Sequence, residues 1–198
     1  FRQFNNLIKN RKYLNALISN VSSTLYLIKK EKFNSVIINY DKQSENLFNW
    51  YQQLIAESLG KKSKGLLPII SSMPKDNHSV MQLYLDGFKK NFFTFFYVDE
   101  KNSTKIINKD ILSPYNFIKN KSVSNIAFAQ KKATENIFKK KNIPFRSFEI
   151  KKRDEKTLGE LFCFFMLETI LLSKALKVNP YDQPAVETIK KETKRILI

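Results

Sequence analysis

Apolar positions along this chain fall into two alternating rhythms, and the alternation predicts the fold. From Lys12 to Lys29, Leu14, Leu17, Ile18, Val21, Leu25 and the pair Leu27-Ile28 recur near the helical period. Ser35 to Tyr40 is a short β-branched run and predicts a buried strand. Lys42 to Leu59 then places Leu47, Trp50, Tyr51, Leu54 and Ile55 on one face of a second helix. Gly60 and Gly65 bracket a basic turn, after which Leu66 to Ile70 predicts a second strand. A loop to Asn77 leads into a short helix over 79–85, stopped at Gly87. Asn91 to Val98 is almost wholly apolar, as expected of a central strand covered on both faces. A polar loop over 100–120, a helix over 123–140 and a strand over 144–150 follow. Thr157 to Val178 is apolar almost all round, which predicts a buried helix, and Pro184 suits the first turn of a last helix ending near Leu197.

Strands separated by helices imply an α/β fold with a parallel sheet and right-handed crossovers. Such sheets hold ligands in a crevice at the strands' carboxyl ends, at a topological switch. Neither a Walker loop nor a GxGxxG turn is present, so nucleotide and dinucleotide binding have no support.

At 198 residues the chain suits one domain with a helical appendage, and a 42% hydrophobic fraction excludes a disordered polymer. The single cysteine, Cys163, forms no intrachain disulfide, which fits a reducing, cytoplasmic compartment. Its apolar surroundings, Leu161 to Leu167, predict a buried, inert thiol and are far shorter than the ~20 residues that span a bilayer, so no membrane partner is expected. A net charge of +17 raises nucleic acid as a partner. Against that, lysines are scattered at segment ends and on polar faces, with no zinc-finger spacing and no RNP-type strand. A solvated basic surface is the expectation, weak steering of anionic metabolites the second reading, and no nucleic acid partner is expected. The chain opens on Phe1 and not on methionine, so a piece of a longer product is expected.

Three places carry candidate chemistry. Gln53 and Glu57 continue the stripe from Trp50 and present an amide and a carboxylate from one helix end. His78, the only histidine, stands at the entry of the short helix, where an imidazole can exchange protons near neutrality. Lys190 flanks the apolar stripe Val186, Ile189, Thr193 and Ile196 of the last helix. Each has a plainer account when taken alone: a surface glutamate, a capping histidine, a snorkelling lysine.

Taken together, the wording of these segments resembles the glucose-6-phosphate isomerase family. Gln53-x-x-x-Glu57-Ser58-x-Gly60-Lys61 is similar to the block carrying that family's catalytic glutamate, and Asn77-His78-x-x-x-Gln82-Leu83 to its catalytic histidine block. Tyr181-Asp182-Gln183-x-Ala185-Val186-Glu187-x-x-Lys190 matches its C-terminal signature. Leu158-Gly159 and the long apolar helix lead into that signature as in the family. The resemblance runs from about residue 30 to the end. It implies a sugar-isomerase (SIS-type) three-layer αβα fold, with residues 1–154 as the second such domain, 155–198 as a helical segment packed on it, and the first domain absent.

The activity implied is the interconversion of glucose 6-phosphate and fructose 6-phosphate by a homodimeric cytoplasmic enzyme that needs no metal or organic cofactor. Glu57 would move the proton between C2 and C1, His78 would assist ring opening from the other subunit, and Lys190 would contact ring or O1 oxygens. Gln53 and Gln183 would hydrogen-bond the substrate. The family's Gly-Gly-Arg signature and its Ser/Thr-rich phosphate loop, both features of the first domain, are absent here. The chain by itself is therefore expected to be inactive, and a non-catalytic SIS-type module that binds sugar phosphates is the alternative. Short bacterial relatives carry a glutamate near position 166, where this chain has Met166 followed by Glu168, which puts one supporting carboxylate in question.

Overall fold

The computed structural model describes residues 2–99, 103–106 and 113–198. The polar loop expected over 100–120 lies partly outside them; within it, Ser113–Ile118 forms a 3-10 turn. Two helices, α1 (Arg2–Lys9) and α2 (Arg11–Lys29), precede strand β1 (Asn34–Asn39). Then come α3 (Glu45–Leu59), β2 (Leu67–Ser72), α4 (Met81–Asp86), β3 (Asn91–Val98), α5 (Val123–Lys140) and β4 (Phe145–Ile150). Helices α6 (Glu155–Leu176) and α7 (Pro184–Leu197) close the chain. The eight-residue α1, which packs on α2 and α6, has no counterpart in the apolar pattern described above.

The four strands are parallel in the order β2-β1-β3-β4. Alternation along them sends side chains to two cores, as a period of two requires. Ile37, Phe92 and Phe96 meet α2, α3 and α6 on one face. Val36, Ile38, Phe93 and Phe95 meet Met81 and Tyr84 of α4 and Phe138 of α5 on the other. Phe138 closes the second core, with its ring 4.8 Å from Phe93 and 5.3 Å from Phe95 in edge-on contacts. The architecture is three-layered, helix–sheet–helix, with every residue of β3 buried between the layers.

Helix α6 departs from the all-round burial its composition predicts. Leu161, Phe164, Phe165 and Leu172 enter the first core, whereas Leu158, Met166 and Leu171 are 41%, 40% and 36% exposed. Burial of one face satisfies the helix, and the opposite face meets no layer among the described residues. Cys163 is accordingly half-buried, not fully buried as expected.

On the buried face Glu168 grips Arg146 of β4: the guanidinium donates through both terminal nitrogens, the second at 3.2 Å, and also reaches Thr94 and Asn20. Burial disfavours the Arg146 charge, but the adjoining Glu168 carboxylate outweighs it and raises the arginine above its ordinary value. Burial likewise pushes the neighbouring Tyr51 phenol up to about 12. Glu168 thus supplies a carboxylate that ties α6 to the sheet, and Met166 lies on the exposed face of the helix.

Asp154 starts α6, its carboxylate accepting the Thr157 N–H at 2.9 Å. That hydrogen bond is the largest cause holding the Asp154 carboxyl down at about 2. A depressed folded value means the cap is fully present above the ordinary carboxylate range and is lost as pH falls through the folded one. Acidification from pH 4 to pH 2 is therefore expected to move the Thr157 amide resonance and fray the first turn of α6. An Asp154→Asn variant should show no such titration.

Candidate active site

The end of α3 is where the candidate residues gather. Gly60 closes the helix with its N–H on the Ala56 carbonyl at 3.0 Å, and a Cβ there would lie 2.5 Å from that oxygen. The chain then folds tightly over 61–64 and leaves through Gly65 at φ +136°, a conformation that L side chains rarely adopt. This geometry leaves Glu57 half-buried on the last turn of α3.

One Glu57 oxygen accepts from the Gln53 amide at 3.0 Å, one helical turn earlier. The other accepts from the Gln183 amide at 2.7 Å, across 126 residues of sequence. A carboxylate at a helix C-terminus faces the negative end of the dipole, and the two amide donors offset that. Glu57 and Gln183 border a cleft of about 500 Å³ with apolar walls from Ala56, Pro184, Ala185 and Val186, and Gln53 braces Glu57 from behind it.

Gln53, Glu57 and Gln183 are therefore brought together; Lys190 and His78 are not. Lys190 lies on α7 and pairs with Glu187 at 2.7 Å, with most of its side chain in solvent. No residue of α7 is buried, and its apolar stripe, including Ile189 at 67% exposure, faces outward among the described residues. His78 is exposed, just past the 3-10 turn Lys75–Asn77 that follows β2. Asp76 shapes that turn by accepting the Ser72 N–H at 2.8 Å, a local role signalled only by its spacing. Since α3 returns from the carboxyl end of β1 to the amino end of β2, Glu57 and His78 occupy opposite ends of the same sheet.

The cleft thus lies at the strands' amino ends, not at the carboxyl-end switch that parallel sheets commonly use. At the carboxyl ends, Arg153, which follows β4, pairs with Asp41, which follows β1, at 2.7 Å. A larger cleft of about 720 Å³ opens between α2 and the starts of β3 and β4, but its Arg146 is already committed to Glu168. Lysines at 29–32, 61–64, 89–90 and 139–141, scattered in sequence, fall at helix ends and turns at the sheet's amino end, while Lys42, Lys75, Lys119, Lys121, Lys151 and Lys152 lie at the carboxyl end. Helices α2, α3 and α5 end there, and lysine complements the dipole at such ends. Among the described residues no group of three His, Cys, Asp or Glu side chains is placed to hold a metal, and no helix is long and apolar enough to cross a membrane.

Fold and cleft define the class: a three-layer αβα domain on a parallel sheet, with an amide-braced carboxylate at the strands' amino ends. No family model matches the chain. It is, however, 34% identical to the glucose-6-phosphate isomerase of Mycoplasmopsis pulmonis over 99% of its own length and 47% of that protein. It is 33% identical to the glucose-6-phosphate isomerase of Methanocaldococcus jannaschii over 92% of its length and 45% of that protein. Among solved structures, a hypothetical protein from Thermus thermophilus superposes with a TM-score of 0.81 at 23% identity, over 88% of this chain and 44% of that one. A glucose-6-phosphate isomerase from Chlamydia trachomatis does so with 0.67 at 18% identity, over 83% and 34%, and these two likenesses speak to fold. The resemblance to the glucose-6-phosphate isomerases is thereby shown, over a region about half the length of those relatives.

Proposed function

We propose that the chain is the second sugar-isomerase domain, residues 1–154, with the helical segment 155–198, of a cytoplasmic glucose-6-phosphate isomerase. The observation that carries this reading is the Glu57 carboxylate held between Gln53 and Gln183 in a cleft. In it, Glu57 takes the C2 proton of the open-chain aldose while the carbonyl oxygen at C1 gains a proton, giving an enediol. Return of the Glu57 proton to C1, with loss of the C2 hydroxyl proton, completes the ketose. Amides at Gln53 and Gln183 fix the carboxylate's direction, and either can turn to a substrate hydroxyl. The lysine-rich amino end favours approach of a phosphate dianion. Groups that hold the phosphate and stabilise the enediolate belong, in this reading, to the other domain, and the chemistry requires no cofactor.

His78, at the far end of the sheet from Glu57, serves the Glu57 cleft of a second copy in a homodimer, and Lys190 closes over the cleft when α7 is covered. The test is complementation in the full enzyme. Glu57→Gln and His78→Ala subunits, each inactive alone, are mixed in equal amounts and allowed to exchange. Random pairing restores one intact site in each heterodimer, so about a quarter of wild-type activity is expected. Activity no higher than that of the parents would show that both residues act within one copy.

A further inference from the structure

Lys61 is buried far more deeply than a surface lysine, with its side chain only 10% exposed and its ammonium held by three oxygens of the chain. Nζ lies 2.6 Å from the Asn179 carbonyl, 3.2 Å from the Ser58 carbonyl and 3.3 Å from the Asp182 carboxylate. Two of these contacts are hydrogen bonds and the third is an ion pair, so most of the ammonium's three-donor capacity is spent within the chain. Lys61 borders the cleft, but its ammonium is directed to the α6–α7 loop and the end of α3.

We infer that Lys61 is a positioning residue: it ties the α6–α7 loop to the end of α3 and so sets the Gln183–Glu57 hydrogen bond. Asp182 directly precedes Gln183, and Asn179 braces the loop from within by accepting the Tyr181 N–H at 3.1 Å. Beyond Val178 no residue is buried, so apolar packing does not fix Gln183 in place. Lys64 adds a second tie lower down, donating to the Leu176 carbonyl at 2.8 Å at the end of α6. The Ser58 contact also caps the carbonyl end of α3 with a positive charge, where the helix dipole favours one.

The tie itself can be measured without catalysis, and only its meaning for turnover rests on the proposed isomerase function. In this chain, Lys61→Met is expected to speed hydrogen exchange over 179–183, and at the Gln183 side-chain amide, by about tenfold or more, with the cores of α3 and α6 unchanged. Lys61→Arg, which keeps the charge in a planar fork, recovers part of that protection. Unchanged exchange over 179–183 would overturn the inference, as would equal acceleration throughout α3 and α6, the sign of a general structural role. In the full enzyme, Lys61→Met should lower kcat with little effect on KM, and should cost nothing further in a Glu57→Gln background. If Glu57→Gln itself has no effect, the catalytic reading fails while the exchange result stands on its own.

Discussion

If the proposed function holds, replacing Glu57 with glutamine is expected to lower isomerisation by the full-length protein about 10²- to 10⁴-fold, the usual contribution of a positioned acid–base group. Glutamine keeps the volume and leaves a carbonyl oxygen for one of the two amides, while the other can turn its own oxygen to the new NH2, so KM should change little. What it removes is the capacity to accept the C2 proton. The same variant should stop exchange of a C1 hydrogen of fructose 6-phosphate with deuterated solvent, read by proton NMR after incubation in D2O. Wild-type turnover by the variant would remove Glu57 from the mechanism. A full enzyme that binds sugar phosphate but never turns it over would point instead to a binding module.

The second large effect concerns stability and needs only this chain. Glu168→Leu leaves the Arg146 guanidinium without its carboxylate between β4 and α6, and stranding one member of a buried ion pair costs about 3–5 kcal/mol. A domain of this size has roughly 5–15 kcal/mol in all, so the variant should be largely unfolded at moderate urea, where the parent is intact. Thr94 and Asn20 still accept from Arg146 but cannot compensate its charge. The double variant Arg146→Met with Glu168→Leu should regain most of the loss, because an apolar pair of similar volume avoids desolvating either ion. Chemical denaturation of both variants decides it: equal destabilisation would show that packing, and not the stranded charge, is responsible.

Much of the fold is legible in the sequence because burial on both faces leaves a plain mark. The run Asn91–Val98 reads as a central strand and is one, and the helical stripe at Leu47, Tyr51 and Ile55 predicts the core side of α3. Helix α6 is less legible: composition shows that it is apolar but not which face meets the sheet. The Arg146–Glu168 pair joins residues 22 apart through the packing of α6 on β4, and no local pattern encodes that.

At the site, local spacing places Gln53 one turn from Glu57, and the structure adds the hydrogen bond. Gln183 reaches Glu57 only through the return of the chain after α6, so its placement is a product of tertiary structure. Lys61 and Asp182 are visible in the same motifs as letters, yet their contact depends on that return as well. Which lysines share an end of the sheet is also hidden in sequence, since it follows from the direction in which the helices run.

The opposition of Glu57 and His78 across the sheet bears on how an isomerase built from this domain responds to dilution. A site that draws the carboxylate from one copy and the imidazole from another exists only while two copies are associated. Specific activity would then decline with enzyme concentration as subunits part. Each chain could remain folded throughout, and concentrating the sample would restore what dilution removed.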